Sequence, residues 1–309
     1  MAQPSTRAIT SAAARRPPIR WGKVATIAGF LLPAAIIYMG LVLLPVAQAV
    51  YYSFFRWNGL GPMSNFNGLA NYARAFSDRV FVGALSHNLI LVVMSLAFQL
   101  PLSLGLALLI REIRWGRALF RTIFFLPFVL SEVVTGVVWT FIYRPQGGLI
   151  NALLKLVAPG MPETALLADP KTVLYALFVV ITWKFFGYHM ILYIAGLQNI
   201  PHEIEEAAAI DGCSRLQALR YITIPLLGST IRLSIYLSVL GSLQFFDLIW
   251  VMTTGGPVSA SDTMATYLYK YGFQRFQLGY GSAIAVCLFL ICFGFSLVYQ
   301  RFVMRRDYE

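Results

Sequence analysis

Six stretches of the chain are each apolar over at least about twenty residues, the length an α-helix needs to cross the hydrocarbon of a bilayer. They lie at about 24–55, 81–110, 119–143, 173–197, 227–252 and 278–303. In lipid, every backbone N–H and C=O must find its partner inside the protein, which leaves only helices and closed barrels. None of the six shows the ten-residue alternation of a barrel strand. The expected fold is all-α, a polytopic membrane bundle of six transmembrane helices. Only 12% of the residues are charged and 58% are hydrophobic, whereas a disordered chain would be charge-rich and apolar-poor. Cys213, Cys287 and Cys292 are too few for a disulfide scaffold. The net charge of +11 is scattered between apolar runs, so the expected partner is the lipid membrane, with no nucleic acid.

Basic residues set the orientation. The N-terminal tail carries Arg7, Arg15, Arg16, Arg20 and Lys23, and the segment after the second stretch carries Arg111, Arg114, Arg117 and Arg121. Arg215 and Arg220, then Arg301, Arg305 and Arg306, complete fourteen on that side. The opposite segments hold eight: Arg56, Arg74, Arg79, Arg144, Lys155, Lys171, Lys270 and Arg275. Cationic segments stay cytoplasmic, so both termini are expected inside. Residues 1–22 are expected to be a disordered basic cytoplasmic tail, with the six-helix transmembrane bundle over 23–309. The first apolar run is too long for a cleaved signal.

One long polar segment, IPHEIEEAAAIDGCSRLQALRYITIPLL at 200–227, falls on the cytoplasmic side. Pro201 suits a first helical turn, and Glu203 and Glu205 complement its dipole. Ile204, Ala207, Ala208 and Asp211 share one face at i, i+3, i+4 and i+7. Gly212 supplies a turn, and a second helix follows until Pro225, where the fifth span begins. The small Ala207 and Ala208 would let another protein approach the helix backbone closely.

The motif E-A-A-A-I-D-G at 206–212, followed by I-x-I-P-L at 222–226, resembles the cytoplasmic loop of binding-protein-dependent ABC importer permeases. G-L-A-N-Y at 68–72, F-R-T-I-F-F-L-P at 120–127, L-L-A-D-P at 166–170, A-G-L-Q-N-I-P at 195–201, T-G-G-P at 254–257 and G-Y-G-S-A at 279–283 extend the likeness over most of the chain. The pattern is closest to the maltose-F-like branch of the sugar permeases. That resemblance implies the type I ABC importer permease fold, with 199–226 as the ATPase-docking loop and Glu206, Ala207, Ala208, Asp211 and Gly212 as docking residues. It implies a second permease subunit in a heterodimer, two copies of an ABC ATPase that bind ATP and Mg, an extracellular or periplasmic solute-binding protein, and a mono- or oligosaccharide as cargo. It also places the chain in the bacterial cytoplasmic membrane, working by alternating access. Cys213 stands where the family most often has alanine.

Ionisable groups at membrane depth are costly and count first as functional candidates. Glu132 and Lys184 fall near the middle of adjacent antiparallel spans, where they either pair directly, face a polar cavity together or form a structural ion pair. Arg232 and Asp247 are the other two; Arg232 is expected to snorkel toward the interface. Sugars are held by hydroxyl hydrogen bonds and ring stacking. Thr182, Trp183 and Lys184, with Ser242, Gln244 and Phe245, supply both and are the cavity candidates beside Glu132. No G-x-x-x-x-G-K-[ST] loop occurs in the sequence, so no enzymatic ATP site is expected in this chain. No metal-ligand spacing or nucleophile elbow occurs either. The rival readings are an ion-coupled secondary transporter, which would bring inverted repeats or paired broken helices, and an ABC importer for a phosphorylated polyol.

Overall fold

The computed structural model describes residues 21–113, 115–160 and 162–304. The tail expected over 1–22 lies almost wholly outside them, as do Arg114, Arg305 and Arg306. Four helices are long and apolar enough to span a bilayer: α1 (Thr26–Tyr52), α3 (Arg79–Glu112), α7 (Val173–Gln198) and α13 (Leu278–Met304). Two further spans are bent pairs. Helices α4 (Arg117–Val129) and α5 (Glu132–Ile142) meet at 96°, and α9 (Arg215–Leu226) and α10 (Gly228–Leu243) meet at 66°. Counting each pair once gives six. Shorter helices are α2 (Ala70–Ser77), α6 (Leu149–Val157), α8 (His202–Ile210), α11 (Asp247–Thr253) and α12 (Met264–Tyr269).

The bends correct the expected spans. The third stretch is not one helix with Glu132 at its middle. It stops at Val129, passes Leu130 and Ser131 in extended conformation, and restarts with Glu132 as a first-turn acid. The fifth is broken as well. Pro225 does not end the preceding helix, which runs to Leu226; the chain turns at Leu227, and Gln244 to Phe246 separate α10 from α11. A proline three residues before each of these breaks or less (Pro127, Pro225) removes one backbone donor from the helix.

The described residues up to 48 and those from 49 onward form two separately packed units. The described part of the first is mostly α1, whose apolar window has no buried residue. Within the second, α7 is the axis, with 61% of its apolar window buried against 28% for α3 and 33% for α13. One apolar cluster joins Leu177 and Ile181 of α7 to Leu248 and Ile249 of α11. Another joins Phe81 of α3, Leu243 of α10, Tyr267 of α12 and Ile284 of α13. A third joins Ile110 of α3 to Met190 and Tyr193 of α7. Lipid is as apolar as leucine, so such contacts owe their strength to close packing.

Glycines make that packing possible. A Cβ at Gly187 of α7 would lie 1.9 Å from the Phe124 carbonyl oxygen of α4, and one at Gly196 would lie 2.4 Å from Thr230 Oγ1 of α10. Gly105 of α3, by contrast, has open space at its Cβ position. Gly187→Ala should therefore destabilise the bundle by about 2–3 kcal/mol, the cost of overpacking against backbone that cannot swing away. Gly105→Ala should be neutral or slightly stabilising. Thermal unfolding of the two detergent-purified variants checks the contrast.

Candidate functional site

The break between α4 and α5 leaves the last carbonyls of α4 without intrahelical partners. Lys184, on the buried axis of α7 and only 2% exposed, answers them. Its Nζ donates to the carbonyl oxygen of Leu130 at 2.5 Å and lies 3.5 Å from those of Pro127 and Phe128. A cation there also meets the negative end of the α4 dipole. Glu132 opens α5 and Asp247 opens α11, each an acid at the positive end of its helix. Those two helices touch closely, since a Cβ on Gly136 would come 2.8 Å from Val251 Cγ1. Glu132 lies within electrostatic reach of both Asp247 and Lys184. The structure thus gathers Glu132, Lys184 and Asp247 about one discontinuity and directs the lysine onto main-chain oxygens.

Aromatic rings wrap the same place. Phe185 meets Phe128 at 5.9 Å and Phe245 at 5.8 Å between centroids, each edge to face. Trp183 packs edge-on against Trp139 of α5 at 5.5 Å. The Thr182 hydroxyl oxygen is buried without a hydrogen-bond partner. Phe245 therefore joins the Lys184 cluster, whereas Ser242 does not. Ser242 is buried against α3, its hydroxyl 3.3 Å from that of Ser95 and its carbonyl accepting from Asn88. Gln244 sits exposed at the end of α10.

At the other candidate site, α8 ends at Ile210 and the chain turns at Gly212, whose φ of +80° is the left-handed conformation that glycine adopts without strain. Ser214 then caps α9 in a reciprocal box with Gln217. Ile204, Ala207, Ala208 and Asp211 do share one face, and together with Cys213 and Ile222 they line a shallow groove of about 410 Å³. Ala208, however, is turned inward and only 6% exposed, so it backs the groove and Ala207 is the exposed member. Glu206 is exposed. Sequence reasoning passed over two features. Ile210 and Leu216 stand out at 86% and 74% exposed on either side of Gly212. Glu205 takes a bidentate bond from Arg111 at 2.8 and 2.7 Å, which ties α8 to the end of α3. The i, i+4 pattern carries no sign of a partner ninety-four residues away.

Lys184→Met should leave three carbonyls facing apolar surroundings, costing roughly 2 kcal/mol at the scale of one unsatisfied buried polar group. Lys184→Arg, which keeps a cationic donor, should recover much of that. Equal melting temperatures for wild type and Lys184→Met in detergent would contradict the assignment.

Residues 99–308 match the family described as binding-protein-dependent transport system inner membrane component. A probable ABC transporter permease protein of Pyrococcus horikoshii is 38% identical over 271 residues, covering 87% of this chain and 92% of the relative. The trehalose/maltose transport system permease protein MalF of Thermococcus litoralis is 30% identical over 271 residues, covering 88% and 91%. Among solved structures, a chain of a bacterial alginate ABC transporter in complex with an alginate pentasaccharide-bound periplasmic protein superposes with a TM-score of 0.81 at 22% identity, covering 93% of this chain and 97% of that one. The discontinuous spans and the capped loop around Gly212 thus sit in a chain that belongs to the binding-protein-dependent transport system inner membrane component family of ABC transporter permeases.

Proposed function

We propose that this chain is the membrane-spanning half of a sugar importer, acting beside a second permease subunit. Two ATPase subunits on the cytoplasmic side bind ATP and Mg, and a solute-binding protein delivers a mono- or oligosaccharide from outside. The observation that carries this reading is the α8–Gly212–α9 loop. It projects Ile210 and Leu216 from a capped, glycine-hinged turn, a form suited to seating in a groove on another protein. The exclusion of a secondary transporter rests on this loop and on family membership, since broken helices by themselves occur in ion-coupled carriers too.

Orientation follows from charge, with the loop and the Arg111–Arg121 segment on the cytoplasmic side of a bacterial inner membrane. Sugar as cargo is supported by the trehalose/maltose relative. ATP-driven closure of the ATPases moves the loop, and the bundle answers by switching between inward- and outward-facing packings. Glu206, Ala207, Asp211 and Gly212 contact the ATPase, with Ala208 behind them. Lys184, Trp183, Thr182, Phe245 and Glu132 border the passage near the α4–α5 break, and Gln244 stands at the end of α10. The Arg111–Glu205 pair is a strut through which loop movement reaches α3.

Gly212→Val meets no clash, because its Cβ position is open, but it strains a backbone at φ +80°. In proteoliposomes it should lower sugar uptake at least tenfold while the complex still hydrolyses ATP; normal coupling would refute the docking role. Arg111→Met should reduce uptake per ATP hydrolysed by a smaller factor, about two to five, as expected for losing one partly exposed ion pair.

A further inference from the structure

A sizeable cavity lies away from the α4–α5 break, at the end of the bundle opposite the docking loop. It has a volume of about 820 Å³ and is enclosed by the 56–74 segment and by residues 276–280. That volume falls within the range of small-molecule sites. Its walls are fixed. Residues 54–56 pair with 65–67 in an antiparallel bridge through Arg56 N–H to the Asn65 carbonyl at 2.9 Å and Asn67 N–H to the Phe54 carbonyl at 2.7 Å. Asn71 of α2 donates to the carbonyls of Ser53 and Phe55 at 2.8 and 3.0 Å. Gly279 lets the start of α13 press on the same strand, since a Cβ there would lie 2.0 Å from the Phe55 carbonyl oxygen.

The lining carries the chemistry that holds hydroxyl-rich ligands. Asn65 offers its side-chain amide and Asn58 its amide N–H groups, the Asn58 oxygen already accepting the Leu60 N–H at 3.0 Å. The Gln277 side-chain oxygen is buried with no hydrogen-bond partner, an acceptor lacking its donor. Phe276 stands at the rim, 64% exposed, and its φ of +51° is rare for a residue with a side chain, strain of the kind kept at functional positions. Arg56 and Arg74 contribute two cations, Arg74 lying 4.0 Å over the Tyr280 ring, and no acidic side chain lines the cavity.

We propose that this cavity is an outer saccharide subsite. Phe276 stacks on a sugar ring, Gln277 accepts from a hydroxyl, and the two arginines favour a saccharide that bears a carboxylate. The proposal rests on the importer reading and orientation given above.

The test uses the assembled permease–ATPase complex in nanodiscs without binding protein, titrated calorimetrically with a hexuronate trisaccharide and with a neutral hexose trisaccharide. Saturable binding is expected, tighter for the hexuronate. Phe276→Asn, which tolerates the left-handed backbone, should weaken both at least tenfold. Arg56→Gln should weaken the hexuronate alone. Unchanged saccharide affinity in both variants overturns the subsite. A separate titration of the same nanodiscs with the binding protein, if it alone is weakened by the variants, likewise overturns it and assigns the cavity to a protein contact. ATP-dependent sugar uptake by the wild-type complex reports separately on the importer reading: uptake with unaltered variants sinks only the subsite, and absence of uptake sinks the reading beneath it.

Discussion

A helix interrupted at membrane depth exposes carbonyls where no water can solvate them, so the interruption exists only if the protein supplies a donor. Lys184 is that donor. It is buried on the most enclosed helix and reaches across to Pro127, Phe128 and Leu130. One side chain thereby meets two needs, because the break requires a cation and a cation at that depth requires dense oxygen ligation. Glu132 and Asp247, each opening a helix beside it, leave the neighbourhood polar and ringed by Phe128, Phe185 and Phe245. The arrangement resists lipid and accommodates a polar cargo for the same reason.

The axis helix joins this place to the docking loop. From Lys184 to the end of α7 at Gln198 is fourteen residues, or about 21 Å of helix, and α8 begins three residues after Asn199. Gly187 holds α7 against the backbone of α4 and Gly196 holds it against the Thr230 side chain of α10, so a shift of α7 has little slack on either side. The Arg111–Glu205 pair adds a second tie, from the loop to α3. Packed elements of this kind change between discrete arrangements and do not deform smoothly.

The sequence made the membrane, the six apolar spans and the turn at Gly212 legible, because hydropathy, charge and glycine each act locally. The breaks were hidden for a physical reason. An average over twenty residues runs straight through Leu130 and Ser131, and it reads Glu132 as a mid-helix charge. The local signal was nevertheless present: Pro127 followed by Ser131-Glu132 is a helix stop and a helix start in succession. Ala208 shows the limit of face-counting, since a helical period says which residues are neighbours and not which neighbour the fold covers. Arg111–Glu205 and the 820 Å³ cavity depend on residues far apart in the chain, and no local pattern announces them.

The 96° bend carries a consequence in simple length. Helix α4 has 13 residues and α5 has 11, or about 20 Å and 16 Å of rise. At a right angle the second adds almost nothing along the direction of the first, so this segment falls about 10 Å short of a typical hydrocarbon thickness. Polypeptide that short stays in a bilayer only when protein or water occupies the missing depth on at least one side. The exposed apolar residues Val133, Val137 and Phe141 on α5 therefore mark ground that lipid alone does not cover, and the chain's own geometry asks for company.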